Sequence, residues 1–148
     1  MDGVGQMNYL TQLEQMLESG YRIISIETYD TDRVSDLFTQ LSRFSNKAYY
    51  LSTPNASMYR IGASHIAIPR TQNTKDLLDH IDGSHHFGVF ILRDFNQALE
   101  QNENVKLLHK IATGDTDKVI LLLSESLELP KALKPYTLRS KHQMKKAV

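Results

Sequence analysis

Residues 85–95 read HHFGVFILRDF and carry the clearest structural signal of the chain. The large apolar residues 89–92 run without interruption into Arg93, Asp94 and Phe95. A continuous apolar run of this length is typical of a strand that is buried on both faces of a parallel sheet. The polar residues directly after it raise the question of whether Asp94 contributes to a ligand site or only ends a strand.

Strand-like and helix-like patterns alternate outward from this stretch. Short apolar runs predict strands at residues 23–26, 47–53 and 118–126. Apolar residues at spacings of three and four predict amphipathic helices at residues 8–19, 32–44, 74–83 and 102–113. Because parallel strands are joined by crossover helices, the alternation predicts an α/β fold, a three-layer sandwich with a mainly parallel central sheet. One domain spanning residues 1–148 is the expected organisation.

Three details of this prediction can be checked against a structure. The segment 57–70 alternates as strands do, but Gly62 and Pro69 interrupt the alternation. An edge strand is predicted at residues 136–138, and a basic, flexible tail from about residue 139. The helix at 32–44 is predicted to bury one stripe, which consists of Val34, Leu37, Phe38, Leu41 and Phe44.

Composition narrows the class of function. The chain has 17 Lys and Arg against 17 Asp and Glu, so no global field favours nucleic acid, and none is expected as a partner. Its lack of cysteine excludes disulfides, thiolate zinc sites and cysteine nucleophiles. No apolar run approaches the roughly 20 residues of a transmembrane helix, and a cytoplasmic location is expected.

Three segments carry a resemblance to a known family. They read SIETYDTDRV at residues 25–34, VFILRDFN at 89–96 and VILLLSESLELPKAL at 119–133. In this order they resemble the N-terminal domain of a family of bacterial and plastid AAA ATPases, in which a degenerate ATPase-like domain precedes the AAA module. The matching positions are Thr28, Asp30, Asp32, Arg33, Arg93, Asp94, Phe95, Ser124, Leu127 and Pro130. The sequence ends where the module would begin, so the resemblance implies such a domain standing alone, without motor activity.

The resemblance implies a P-loop-like fold, but the phosphate loop itself is absent from the sequence. A P-loop requires the pattern GxxxxGK[ST], because backbone amides surround the phosphates while the lysine reaches the outer ones. The corresponding residues 27–34 read ETYDTDRV and contain neither glycine nor lysine. The carboxylates of Glu27, Asp30 and Asp32 would repel a triphosphate. Conventional ATP binding is therefore not expected, and neither a cofactor nor a metal is predicted.

The polar residues at the predicted strand ends form a candidate ligand site. We expect Glu27 and Asp94 to end adjacent parallel strands and to face one crevice, where open α/β sheets bind ligands. Asp94 is more simply a structural carboxylate that caps a loop or pairs with Arg33 or Arg93. The candidate ligand-binding residues are Glu27, Asp32, Arg33, Asp94 and Ser124.

No motif in the sequence identifies an enzyme. No GxSxG pattern surrounds Ser124, and adjacent histidines such as His85 and His86 would point to opposite faces of a strand and chelate poorly. No catalytic residue is predicted, and an enzyme that uses Asp94 with Arg33 is the least favoured hypothesis.

The sequence favours a non-catalytic module that binds proteins. We expect it to dock onto a AAA ATPase or a larger complex through the exposed faces of the helices at 32–44 and 102–113 and through the basic tail. The alternative is a sensor that binds a nucleotide or another small ligand at the carboxyl ends of the strands.

Overall fold

The computed structural model describes residues 2–63, 66–85 and 87–142, and the side chains from residue 9 onward. The helices are α1 (Asp2–Leu17), α2 (Thr31–Arg43), α3 (Thr74–Gly83), α4 (Asn96–Leu99) and α5 (Asn102–Thr113). The strands are β1 (Ile23–Glu27), β2 (Ala48–Ser52), β3 (Tyr59–Arg60), β4 (Gly88–Arg93), β5 (Val119–Ser124) and β6 (Thr137–Lys141). A short 3-10 helix, Lys134–Tyr136, leads into β6.

A six-stranded sheet in the order β3-β2-β4-β5-β1-β6 lies at the centre of the fold. Neighbouring strands run parallel, except that β3 pairs antiparallel with β2. The predicted α/β sandwich with a mainly parallel sheet is therefore confirmed, and it is consistent with a P-loop-like fold. Among the described residues, no helix is long and apolar enough to cross a bilayer.

The central strands β4 and β5 bury side chains on both faces of the sheet, as their continuous apolar sequences predict. On β4, Val89 and Ile91 pack in the core under α1 and α2, whereas Phe90 and Leu92 pack in the core under α3 and α5. This alternation follows from the two-residue period of a strand. Arg93 lies two residues after Ile91, so the same period directs its side chain towards α2.

The predicted buried stripe of α2 is wrong at one position. Phe44 does not join the buried stripe, because α2 ends at Arg43 and the non-helical backbone of Phe44 leaves its side chain 90% exposed. Among the described residues of the segment 57–70, β3 is a short strand and Tyr59 forms an isolated bridge with Ala67, so the strand-like alternation is interrupted as the sequence indicates. Parts of this segment, including His65, lie outside the described residues, as does His86.

The expected tail boundary at residue 139 is also wrong. β6 extends to Lys141 and pairs parallel with β1, so Arg139 and Lys141 lie in the sheet. The strand was predicted too short because its exposed residues carry no apolar pattern, and pairing with β1 stabilises them instead. Lys145 and Lys146, which complete the predicted tail, lie outside the described residues.

Candidate functional site

The candidate site lies where the carboxyl ends of β1, β5 and β4 meet at one edge of the sheet. Glu27 ends β1 in register with Ser124 of β5, and Asp94 follows β4. The expectation that Glu27 and Asp94 end adjacent strands is wrong, because β5 lies between β1 and β4. The intervening strand places Ser124 at the middle of this edge.

An open cleft of about 440 Å³ lies at this edge. The residues that line this carboxyl-edge cleft are Thr31, Asp94, Asn96, Ser124, Glu125 and Ser126. The Ser124 hydroxyl is buried and donates to the Ser126 carbonyl at 2.6 Å. The Asn96 side-chain amide donates to the same carbonyl, and its oxygen accepts the Glu128 N–H at 3.3 Å. The loop that follows β5 is thus fixed to the start of α4.

Asp94 adopts an unusual backbone conformation at the end of β4. Its φ of 55° lies in the left-handed region, which few residues other than glycine, asparagine and aspartate adopt. Its backbone N–H donates to the Leu123 carbonyl at 3.0 Å, which extends the ladder to β5 by one bond. Within the described residues its carboxylate forms no ion pair, so the expected pairing with Arg33 or Arg93 is wrong.

Arg93 connects β4 to the start of α2 instead. Because it lies on the same face of β4 as Val89 and Ile91, its guanidinium reaches the first turn of α2. Its Nη2 donates to Asp32 Oδ1 at 2.8 Å and to Thr31 Oγ1 at 2.7 Å. Asp32 is largely exposed, so the ion pair orients the helix start more than it stabilises the fold.

The N-terminus of α2 is capped by the chain's own side chains. Asp30 Oδ1 accepts the Arg33 backbone N–H at 3.1 Å, and Thr28 Oγ1 accepts the Asp30 N–H at 3.1 Å. A helix N-terminus attracts anions because its first N–H groups have no partner within the helix. In a P-loop this position receives phosphate, but here a carboxylate already occupies it.

Glu27 and Arg33 do not line the cleft and instead lie near the end of β6. The Glu27 carbonyl accepts the His142 N–H at 2.9 Å, and the His142 ring stacks on Tyr9 with 4.1 Å between centroids. Thr28 Oγ1 lies 3.2 Å from His142 Nδ1 in hydrogen-bond contact. Burial lowers the pKa of His142, the charge of Arg33 lowers it further, and Asp30 opposes both.

Sequence reasoning missed this contact between the two ends of the described fold. Tyr9 and His142 lie far apart in the sequence, and only the pairing of β6 with β1 brings them together. Burial raises the pKa of Tyr9 to about 12, and among the described residues its hydroxyl has no hydrogen-bond partner. The phenol therefore stays neutral at physiological pH.

A second groove, of about 460 Å³, lies between the ends of β2 and β4 and the start of α3. Asp94 lines this groove as well, and carboxamides supply much of its surface, from Asn55, Gln72, Asn73, Gln97, Gln101 and Asn104. Uncharged amides both donate and accept hydrogen bonds, and Lys75, Arg93 and Glu103 add charged groups to the same groove. In the part of the chain that the structure describes, no three His, Asp or Glu side chains converge as metal ligands would.

Comparison with protein families gives a match over most of the chain. A family model described as the N-terminal domain of SpoVK-like AAA ATPases matches residues 9–141, which is most of the chain. No curated protein matches the sequence.

Proposed function

The chain belongs to the family of SpoVK-like AAA ATPase N-terminal domains, and from this premise we propose that it is a non-catalytic module that binds proteins. It docks onto a AAA ATPase or a larger assembly in the cytoplasm. Its α/β core serves as a rigid support for binding surfaces rather than as a site of phosphate chemistry.

One observation carries this proposal: the Asp30 carboxylate accepts the Arg33 N–H at the start of α2. A triphosphate at this helix end would have to displace Asp30 and approach Asp32, and both carboxylates would repel it. Arg93 reaches this helix end, but its guanidinium already donates to Asp32 and Thr31. This arrangement disfavours binding of ATP at the helix end and leaves the outer surfaces of the fold as the candidate binding sites.

Three surfaces are available for docking. The exposed side of α2 carries Asp32, Asp36, Gln40 and Arg43, and the exposed side of α5 carries Asn102, Glu103, Lys106 and Lys110. Phe44 adds a large apolar side chain to the end of α2. The third surface is basic and consists of Lys134, Arg139 and Lys141 around β6.

Affinity capture tests the proposal. The tagged chain is purified from its own cells after gentle cross-linking, and mass spectrometry identifies the proteins and the cross-linked residues. We expect a stoichiometric partner whose cross-links cluster on one of the three surfaces, and charge reversal on that surface should reduce the yield. Recovery of the wild-type chain without any partner would contradict the proposal.

A small-ligand or nucleotide sensor is the second candidate function. The carboxyl-edge cleft favours it, because Asp94, Asn96 and Ser124 bring polar groups together where open α/β sheets bind ligands. Titration calorimetry with ATP and magnesium separates the two candidates. Saturable binding that is lost in Asp94→Ala but kept in Asp36→Ala, on the exposed side of α2, would support the sensor. The docking module predicts no saturable heat.

A further inference from the structure

The outer edge of β6 presents backbone groups that the sheet leaves without a strand partner. The His142 N–H donates to the Glu27 carbonyl, and β6 runs parallel to β1 with Ser25 in register with Arg139. Along a parallel strand, alternate residues bond to the same neighbour. The backbone groups of Leu138 and Ser140 therefore point to β1, whereas those of Arg139 and Lys141 point away from the sheet.

The opposite edge of the sheet, formed by β3, is better protected against pairing with a further strand. β3 has only two residues, and the segment after it folds back through the bridge between Tyr59 and Ala67. The Ile68 N–H also donates to the Met58 carbonyl at this edge. Short edge strands and covering loops are common devices that prevent unwanted strand pairing. β6 has five residues and, within the described chain, pairs on one side only.

The charges of β6 indicate which strand could pair with it. Arg139 and Lys141 are exposed on the same face of the strand, and the only carboxylate in register with them is that of Glu27, opposite Lys141. Two cations on an edge disfavour pairing with a second copy of the same edge, because like charges would lie opposite each other. A strand with acidic residues at alternate positions would meet them with the opposite charge.

We propose that the β6 edge, meaning the outward backbone groups of Arg139 and Lys141, binds an extended acidic segment of a partner protein by strand addition. This inference rests on the proposed docking function and names the chemistry of its partner. Main-chain hydrogen bonds provide the affinity in this mode of recognition, and alternate side chains provide the specificity. The repulsion of basic strands adds to that specificity.

A synthetic peptide tests the edge directly. The probe is a capped seven-residue peptide with glutamate and valine in alternation, and the control replaces each glutamate with lysine. We expect saturable binding of the acidic peptide only, measured by fluorescence anisotropy. In NMR hydrogen exchange on the wild-type chain, the peptide should slow the amides of Arg139 and Lys141 at least tenfold. Leu138 and Ser140, already bonded to β1, should change little.

A pair of variants separates the backbone contribution from the charge. Arg139→Pro removes the outward N–H and the cation, whereas Arg139→Gln removes the cation and keeps the N–H. Proline is tolerated on edge strands where its nitrogen faces solvent, so the bonds to β1 should persist. We expect the proline variant to bind the acidic peptide at least tenfold more weakly than the glutamine variant.

Three results would overturn the proposal: no binding at millimolar peptide, equal binding by the two variants, or binding that leaves the exchange of Arg139 and Lys141 unchanged. The exchange result applies to the wild-type chain and so does not depend on folding of the proline variant. If wild type and Arg139→Pro capture the same partner from cells, docking stands and the edge is excluded. If wild type captures no partner, the docking function fails, and the peptide data alone decide what the edge can bind.

Discussion

Phe38 and Phe44 lie six residues apart in the sequence and face opposite environments. Phe38 is fully buried under the sheet, whereas Phe44 is 90% exposed after the end of α2. Phe38→Ala should lower the free energy of unfolding by about 3–5 kcal/mol, because it removes buried surface and leaves a cavity. Phe44→Ala should change it by less than about 0.5 kcal/mol. Urea denaturation measures both, and similar losses would show that Phe44 packs against the fold.

Lys118 is a buried lysine that completes the end of α3. Its ammonium donates to the carbonyls of Ile81 and Asp82, at 2.8 Å each. Lys118→Met keeps most of the volume but removes a donor from both carbonyls, of which that of Ile81 still accepts the Ser84 N–H, so we expect a loss of about 1–3 kcal/mol. The control is Lys110→Met, which removes an exposed ion pair to Asp82 and should cost less than about 1 kcal/mol. Equal losses in thermal denaturation would contradict the capping role of Lys118.

At the scale of the element, α2 depends on its first turn. Asp30→Ala removes the side chain that accepts the Arg33 N–H, and we expect it to lower the free energy of unfolding by about 1 kcal/mol. Asp30→Asn keeps an acceptor oxygen and should retain most of the stability. Chemical denaturation of the three proteins distinguishes the cap from the charge. An asparagine variant as unstable as the alanine variant would show that charge dominates.

The attachment of β6 to α1 should depend on pH. The pKa of His142 is lowered in the folded state from its ordinary value of 6.5, mainly by burial and then by Arg33. The unfolded chain therefore binds a proton more readily than the folded one. The stability that neutral His142 provides is complete above pH 6.5 and decreases as the pH falls towards the lowered pKa.

Hydrogen exchange of the Leu138 and Ser140 amides measures this dependence. After correction for the intrinsic effect of pH on exchange, the protection of these two amides should decrease as the pH falls from 6.5 towards the lowered pKa of His142. The control is His142→Gln, which cannot titrate and should show a flatter profile over the same range. An equal decrease in both proteins would assign the effect to another group.

At the scale of the whole molecule, local pattern predicted the elements other than α4 but not their arrangement. β4 and β5 are recognisable because burial on both faces requires continuous apolar sequence, and α2 because one face is buried. The strand order depends on contacts between distant residues, which no local pattern encodes. For this reason β5 between β1 and β4 was not anticipated, nor was the full length of β6.

The same limit applies to the candidate site. The sequence placed Asp94 and Ser124 at one edge of the sheet, and both line the carboxyl-edge cleft. It could not predict that Arg93 would reach Asp32, because that contact depends on how β4 lies against α2. The contact between Thr28 and His142 likewise depends on the pairing of β6 with β1, which the sequence did not predict. Residues that end strands are predictable, whereas their partners on other elements are not.

The parallel pairing of β1 with β6 has a mechanical consequence. A pulling force applied at Arg22 and at Lys141 acts on opposite ends of two neighbouring strands, so their hydrogen bonds are loaded together, in shear. The antiparallel pair of β2 and β3 would instead open one bond at a time when pulled apart at its open end. Single-molecule stretching with handles at Arg22 and Lys141 should therefore record a distinct rupture peak. A protein that pulls on the end of β6 would have to overcome the same resistance.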